Sequence, residues 1–202
     1  ARLIDLLDQE LRRAGAPPER RAAERERLKI SAAALIAWFA ERRHLGALAY
    51  RERKGVLALG DVELSCVADR IEIGPRHVAI LDFKTGAPAT GNQVKSGLAP
   101  QLPLEAAMLA RGAFAGVPKA EASELLYWRF GNAEPTPKPL DVEAMAEAEK
   151  ALAALAGLLA RYADPAQPFL CKPRVQFIKP FAEYDHLARR KEWADADGEA
   201  PA

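Results

Sequence analysis

Two acidic residues and one lysine, Asp69, Asp82 and Lys84, form the arrangement with the clearest chemical potential in this sequence. Apolar segments surround them on both sides of a turn that we expect to centre on Pro75 and Arg76. In an antiparallel hairpin with that turn, Asp69 faces Asp82, with the two β-carbons about 4.5–5.5 Å apart. Lys84 lies on the same face as Asp82, because side chains alternate with a period of two along a strand.

Facing carboxylates of this kind need compensating positive charge, because each one disfavours ionisation of the other. Lys84 supplies one such charge, and a divalent cation would supply more. Carboxylate oxygens are hard ligands that suit Mg²⁺ or Mn²⁺. A metal there would polarise a phosphate oxygen and lower the pKa of a bound water, which the lysine could position or deprotonate. These are the parts that phosphodiester hydrolysis needs.

Two further observations bear on this arrangement. A hairpin centred on Gly60 and Asp61 places Glu52 beside Asp69, as a third acidic ligand or a group that orients water. A slip of one residue would turn Glu52 to the opposite face, so both orientations remain open. An ordinary salt bridge on a surface hairpin is the structural alternative, but the apolar residues 78–81 favour a central strand.

The elements that must position these residues follow from the apolar periodicity and the turn residues. Apolar steps of three and four residues predict a first helix ending at residues 15–18, and a second helix whose buried stripe contains Leu28, Leu35, Ile36 and Phe39. A central sheet with helices on both sides, as one α/β domain, accounts for this order. The predicted elements are helix 19–44 (in one or two pieces), strands 47–59, 62–73 and 78–83, helix 100–111, strand 124–130, a Pro-rich loop 131–139, helix 141–162 and a short helix 184–193.

Composition excludes several classes of protein. The chain has 202 residues, half of them apolar, a balance that is too apolar for general disorder. Two cysteines, Cys66 and Cys171, cannot supply a four-cysteine cluster. No signal peptide is visible, and the longest apolar run, residues 32–40, is too short to cross a bilayer. We therefore expect a cytoplasmic protein.

The formal net charge of +1 argues neither for nor against a nucleic-acid partner. A basic surface would have to come from local clusters, although such clusters are most often solvated faces of helices and strands. These clusters are Arg12–Arg13, Arg42–Arg43 with His44, Arg51–Arg53–Lys54 and Arg189–Arg190–Lys191.

The motifs in residues 69–72 (DRIE) and 80–86 (ILDFKTG) resemble the signature of RecB-type nuclease domains in the PD-(D/E)XK superfamily. Residues 100–107 are similar to the helix that carries the QxxxY motif of that family. Residues 184–193 resemble the end of AddB-type subunits of bacterial helicase–nucleases that repair double-strand breaks. The resemblance covers roughly residues 35–193 and implies a restriction-endonuclease-like core: a mixed sheet, made of a three-stranded antiparallel meander and a further strand, flanked by helices.

Site roles follow from this resemblance position by position. Asp69 and Asp82, with the backbone carbonyl of Phe83, would bind Mg²⁺ or Mn²⁺. Lys84 would orient or activate the attacking water, and Gln101 would contact the DNA backbone or a catalytic side chain. Residues 85–86 would shape a loop that meets DNA.

The sequence departs from the family pattern in three ways. The tyrosine of QxxxY is replaced by Glu105, as is common in AddB-type sequences. The upstream His or Glu of the first helix has no clear counterpart, and its place lies before Ala1 or is taken by Glu10, Glu41 or Glu52. No iron–sulfur cluster is expected, because the cysteines are too few.

The resulting hypothesis is a Mg²⁺-dependent DNA nuclease domain of a larger helicase–nuclease in double-strand-break repair. We expect an exonuclease rather than a sequence-specific endonuclease, binding the phosphate backbone and partnered by an AddA-type subunit. The alternatives are a catalytically silent DNA-binding or scaffolding module with the same fold, and a standalone nuclease of a defence or mobile-element system. The expected organisation is a helical part at 1–46, a nuclease core at 47–163 and a C-terminal extension at 164–202.

Overall fold

The computed structural model describes residues 2–130, 137–169 and 187. The chain divides into two compact units, Ala1–Leu158 and Leu159–Ala202. The predicted C-terminal helix at 184–193 lies outside the described residues. The helices are α1 (Arg2–Arg13), α2 (Pro18–Glu41), a 3-10 helix (Arg42–Leu45), α3 (Gly91–Lys95), α4 (Gln101–Ala110) and α5 (Ala144–Tyr162); the strands are β1 (Leu48–Leu59), β2 (Val62–Ile73), β3 (Val78–Lys84), β4 (Glu124–Arg129) and β5 (Pro137–Pro139).

The five strands form one mixed sheet in the order β1-β2-β3-β4-β5. The meander of β1, β2 and β3 is antiparallel, β4 is parallel to β3, and β5 is antiparallel to β4. The predicted α/β architecture is confirmed. The predicted loop at 131–139 is wrong at its end, where Pro137–Pro139 forms β5 on the edge of the sheet, a position that tolerates proline.

Helices cover the two faces of this sheet, and we name each face by its main helix. On the α4 face, a large apolar core joins Ile71, Ile80 and Leu125 of the sheet to Leu102 and Ala106 of α4. On the α2 face, a smaller cluster joins the sheet residues Ala79, Leu81 and Leu126 to Trp38 and Phe39 of α2. Since β3 and β4 are buried on both faces, β3 is the central strand that its apolar composition predicts.

The buried stripe of α2 differs from its prediction. Ile36 is 62% exposed, so its placement in the stripe is wrong. Ser31 is buried instead, although its hydroxyl has no hydrogen-bond partner among the described residues. The apolar residues that reach the sheet come from the last turn of α2: Phe39, which belongs to the predicted stripe, and Trp38, which does not.

A buried charge network ties the 3-10 helix to the sheet. The Arg42 guanidinium donates to the Glu72 carboxylate at 3.0 and 3.1 Å and to Glu124 at 3.0 Å, and it lies over the Trp38 ring at 4.5 Å. Arg70 donates to the other oxygen of Glu72 at 2.8 Å. Glu72 is only 3% exposed, so its charge is stable there because two guanidinium groups compensate it.

In the second unit, the rings of Tyr162 and Phe169 stack at 4.9 Å, and Arg161 donates to Gln167 at 2.9 Å. Within the described part of the chain, no helix is long and apolar enough to cross a membrane.

We predict that Arg42→Met lowers the free energy of unfolding by about 3 kcal/mol, because it leaves buried carboxylates without their counter-charge. The measurement is chemical denaturation at neutral pH. Arg20→Met, at an exposed position of α2, is the control and should change stability by less than about 0.5 kcal/mol. Equal losses in the two variants would contradict a stabilising role for the network.

Candidate active site

The site begins at the end of the β2–β3 ladder. The paired residues run from Ile73–Val78 to Arg70–Leu81, which is the register that the sequence predicts. Asp69 follows immediately, and its Oδ2 accepts a hydrogen bond of 2.8 Å from the backbone N–H of Phe83. The carboxylate of Asp69 is therefore fixed beside the backbone that links Asp82 to Lys84.

Asp82 is 4% exposed, and its two oxygens have different partners. Oδ2 lies 2.7 Å from the Nζ of Lys84 in an ion pair, and Oδ1 accepts a hydrogen bond of 2.6 Å from the Nε2 of Gln101. A carboxylate so far from water is stable only with such compensation. The predicted placement of Asp82 and Lys84 on one face of β3 agrees with this contact.

Gln101, the first residue of α4, joins the acidic and basic groups of the site. Its Nε2 donates to Asp82 and also to Glu105, the latter at 3.2 Å, while its Oε1 accepts from Lys84 at 3.1 Å. The amide orientation is fixed by chemistry, because an NH₂ group must face the carboxylates and an oxygen must face the ammonium. One neutral side chain thus contacts all three ionisable groups, Asp82, Lys84 and Glu105.

Glu105, which stands where the QxxxY motif has tyrosine, is a buried residue of the site. It is 2% exposed, and its Oε2 has no hydrogen-bond partner among the described residues. Burial raises the pKa of Glu105 to about 7; the hydrogen bond from Gln101 opposes this shift, and the charges of Asp82 and Asp69 add to it. The signal in the sequence was the position of Glu105 one helical turn after Gln101, which puts both residues on one face of α4.

Tyr127 of β4 forms part of the floor of the site. Burial raises its pKa to about 12, and the charges of Asp82 and Glu105 add to the shift. The Lys84 ammonium lies 5.8 Å from the centre of its ring. Tyr127 is therefore a neutral phenol at physiological pH. Its ring gives the floor of the site an apolar surface, and its hydroxyl adds one polar group.

Glu52 lies opposite Asp69, as the predicted register requires, but neither residue belongs to the regular ladder. Glu52 has a φ of 48°, in the left-handed region that non-glycine residues rarely adopt. The alternation of β2 changes at the same point: Cys66 and Ala68 pack on the α4 face before it, and Ile71 packs there after it. Glu52 and Asp69 consequently line the same cleft.

The donors present would suit a hard divalent cation. Asp69 and Asp82 offer carboxylate oxygens, the Phe83 carbonyl lies between Asp82 and Lys84 in sequence, and Glu105 carries an unpartnered buried oxygen nearby. Among the described residues, no group of three His, Cys, Asp or Glu side chains forms a ready-made metal site. A cation would thus depend on backbone and water oxygens, as Mg²⁺ commonly does.

The other candidates for an upstream ligand lie elsewhere. Glu10 pairs with Arg13 on the surface of α1, at 2.7 Å. Glu41 is an exposed residue at the end of α2, where its backbone carbonyl contacts His44. Neither residue lines the cleft that Asp69 shares with Glu52.

We predict that the metal-free chain loses stability between about pH 5 and about pH 8 through Glu105. Its pKa is raised from 4.5 to about 7, so the folded state holds the proton over that window while the unfolded state releases it. The contribution of Glu105 to stability is therefore fully present below about pH 4.5 and is lost as pH rises through 7. Glu105→Gln should remove this loss, raising stability at about pH 8 by on the order of a few kcal/mol relative to the parent chain.

The control for this prediction is Glu63→Gln, at an exposed position of β2. The denaturation midpoint of each variant is measured in the presence of EDTA at about pH 5 and at about pH 8. The same pH dependence in the two variants would show that Glu105 does not titrate as its burial requires.

Comparison with known proteins places this site in a family. A profile of the PD-(D/E)XK nuclease superfamily matches residues 1–174. An uncharacterized protein of Rickettsia felis is 41% identical over 86 residues, which are 40% of this chain and 10% of that protein. An uncharacterized protein of Rickettsia bellii is 36% identical over 93 residues, which are 44% of this chain and 11% of that protein.

The chain spans about a tenth of the length of the curated relatives it matches. Among solved structures, the crystal structure of SSO0001 aligns over 85% of this chain and 76% of that chain, at 13% identity and a TM-score of 0.34. The profile match covers most of the sequence, including every residue of the site described above. The chain belongs to the PD-(D/E)XK nuclease superfamily.

Proposed function

We propose that this domain hydrolyses DNA phosphodiester bonds with Mg²⁺ or Mn²⁺ as its cofactor. The observation that carries the proposal is the contact set of Asp82, Lys84 and Gln101 beside Asp69. A nuclease of this family needs an acidic pair for the metal and a cation for the water or the phosphate, and all of these groups meet here. A buried carboxylate is costly to remove from water, and a lysine and an amide that both face it leave it ready to act together with a bound cation.

The proposed roles are specific. Asp69, Asp82 and the Phe83 carbonyl would hold the cation, with Glu52 as a further candidate ligand. The cation, when bound, supplies charge for the phosphate and acidifies water. Lys84 holds the attacking water and neutralises charge on the phosphate, and its 36% exposed side chain can reach both. Gln101 positions Asp82 and Lys84.

We further propose that the domain works inside a larger repair enzyme as the AddB-type nuclease module, with an AddA-type helicase–nuclease subunit as partner. The support is the resemblance of residues 184–193 to the end of AddB-type subunits and of residues 69–86 to RecB-type nuclease domains, together with relatives about ten times longer than the matched segment. Exonucleolytic cutting fits a site that contains no group for reading bases.

We predict that the purified chain cuts labelled single-stranded DNA when Mg²⁺ or Mn²⁺ is present and stops when EDTA is added. Asp82→Asn should abolish cutting, and Lys84→Ala should lower kcat by roughly 10²–10⁴-fold, the usual contribution of a positioned proton-transfer group. Lys119→Ala, at an exposed position, is the matched control and should cut like the parent chain.

The same experiment tests the silent-module alternative. Calorimetry with Mn²⁺ measures metal binding for the parent chain and for Asp82→Asn. Absence of both cleavage and metal binding, with DNA binding retained, would overturn the nuclease proposal in favour of a DNA-binding or scaffolding role. Metal binding without cleavage would call for the assay to be repeated with the partner subunit.

We also predict an intermediate effect for Gln101→Ala. Because Gln101 holds Asp82 and Lys84 without touching the proposed metal, its loss should reduce kcat or metal affinity by roughly 10–100-fold. Gln101→Glu should be worse than Gln101→Ala, since a third carboxylate would face Asp82 and Glu105. Initial rates across metal concentrations show which of the two variants loses more activity. A larger loss in Gln101→Glu indicates that Gln101 positions Asp82 and Lys84, rather than only stabilising the fold.

A further inference from the structure

A cleft of about 530 Å³ opens on the α2 face of the sheet, away from Lys84 and Gln101. Asp69 lines this cleft, and so does Phe83, whose N–H donates to Asp69. The cleft therefore reaches the proposed reaction site from the opposite side of the sheet. Its most prominent feature is a wall of four arginines: Arg42, Arg43, Arg51 and Arg70.

Two of these arginines already form ion pairs with carboxylates of the fold. Arg42 and Arg70 both pair with the buried carboxylate of Glu72, and Arg42 also pairs with Glu124. Each guanidinium further lies over an aromatic ring of α2: Arg42 over Trp38 and Arg70 over Phe39. These two residues hold the wall of the cleft in place and are not available to a ligand.

The other two arginines have no such role. Arg43 and Arg51 are exposed, and neither forms an ion pair or hydrogen bond through its side chain with any residue in the described part of the chain. They come from different elements, the 3-10 helix and β1, and meet at one cleft. Three carboxylates share that cleft with them: Glu52, Asp69, and Glu72, which pairs with Arg42 and Arg70.

We propose that this cleft binds the phosphate backbone of a single DNA strand next to the phosphodiester that is cut. Arg43 and Arg51 contact the phosphates, for which the planar guanidinium is well suited. The inference rests on the proposed nuclease function, and it adds the path of the substrate. The strand reaches the catalytic groups past Asp69, just beyond the last residue pair of the β2–β3 ladder.

A single strand fits this cleft better than a duplex does. Its volume lies within the roughly 300–1,000 Å³ of pockets that hold one small ligand, which is enough for about one nucleotide. Phe39 and Phe83 supply apolar side walls beside the arginines, the combination found where single strands bind. A duplex would need a broad basic surface, and Glu52 interrupts the basic residues here.

The test is binding of fluorescent oligothymidylate to the full chain in EDTA, where no cutting occurs. Arg43→Gln and Arg51→Gln should each weaken binding about tenfold at low salt and lower the slope of log affinity against log salt by about 0.7, the value for one phosphate contact on a single strand. Glu52→Gln should act in the opposite direction and tighten binding, a gain that a structural role would not produce.

Arg53→Gln is the matched control, because Arg53 is exposed on the same strand and does not line the cleft. Equal weakening in Arg53→Gln and Arg51→Gln, or no weakening in either cleft variant, would overturn the proposal. Tighter binding of duplex than of single-stranded DNA would overturn the choice of ligand.

Cleavage assays keep this inference separate from the proposed function. With metal present, the two cleft variants should raise KM and leave kcat nearly unchanged, whereas Lys84→Ala lowers kcat. Normal KM values in the cleft variants of an active nuclease would overturn the inference alone. Binding that depends on Arg43 and Arg51, in a chain that never cuts, would support the cleft and overturn the nuclease function.

Discussion

The negative charge of Asp82 sits where almost no water reaches it, and the architecture of the site follows from the need to compensate that charge. Lys84 lies two residues after Asp82 in the same strand. The alternation of side chains along the strand is therefore enough to bring this first partner to the same face. Gln101 must come from elsewhere, and this fixes the start of α4 against the end of β3. The apolar core on the α4 face, which includes Leu102 and Ala106, holds the helix in that position.

A similar principle operates on the other face of the sheet, with a different result. There the buried carboxylate is Glu72, and the compensating groups are the guanidinium groups of Arg42 and Arg70. This network is paired and anchors the end of α2, whereas the site on the α4 face leaves Lys84 partly exposed and one oxygen of Glu105 without a hydrogen-bond partner among the residues that the structure describes. Satisfied polar networks stabilise a fold, and incompletely satisfied ones mark the places where ligands complete them.

Much of this arrangement could be predicted from local sequence. Turn residues and strand alternation gave the correct register for the β2–β3 hairpin, because both act over a few neighbouring positions. The orientation of Glu52 could not be predicted, because it depends on a positive φ at a position where the sequence has no glycine to indicate one. The different environments of Arg42 and Arg43 could not be predicted either. Arg42 is paired because Glu72 and Glu124, which lie 30 and 82 positions further along the chain, come close to it in the fold.

Glu105 shows what a substitution in a family motif does to the physics of a site. A tyrosine at this position would be neutral, whereas a buried glutamate adds a potential charge close to Asp69 and Asp82. The site must then either keep a proton on Glu105 or gain positive charge from outside, because Lys84 alone cannot balance three carboxylates. If the proposed cation binds here, its binding would be linked to loss of that proton, because the cation would favour the ionised form of Glu105. The substitution ties the proposed cofactor to protonation more tightly than a tyrosine would.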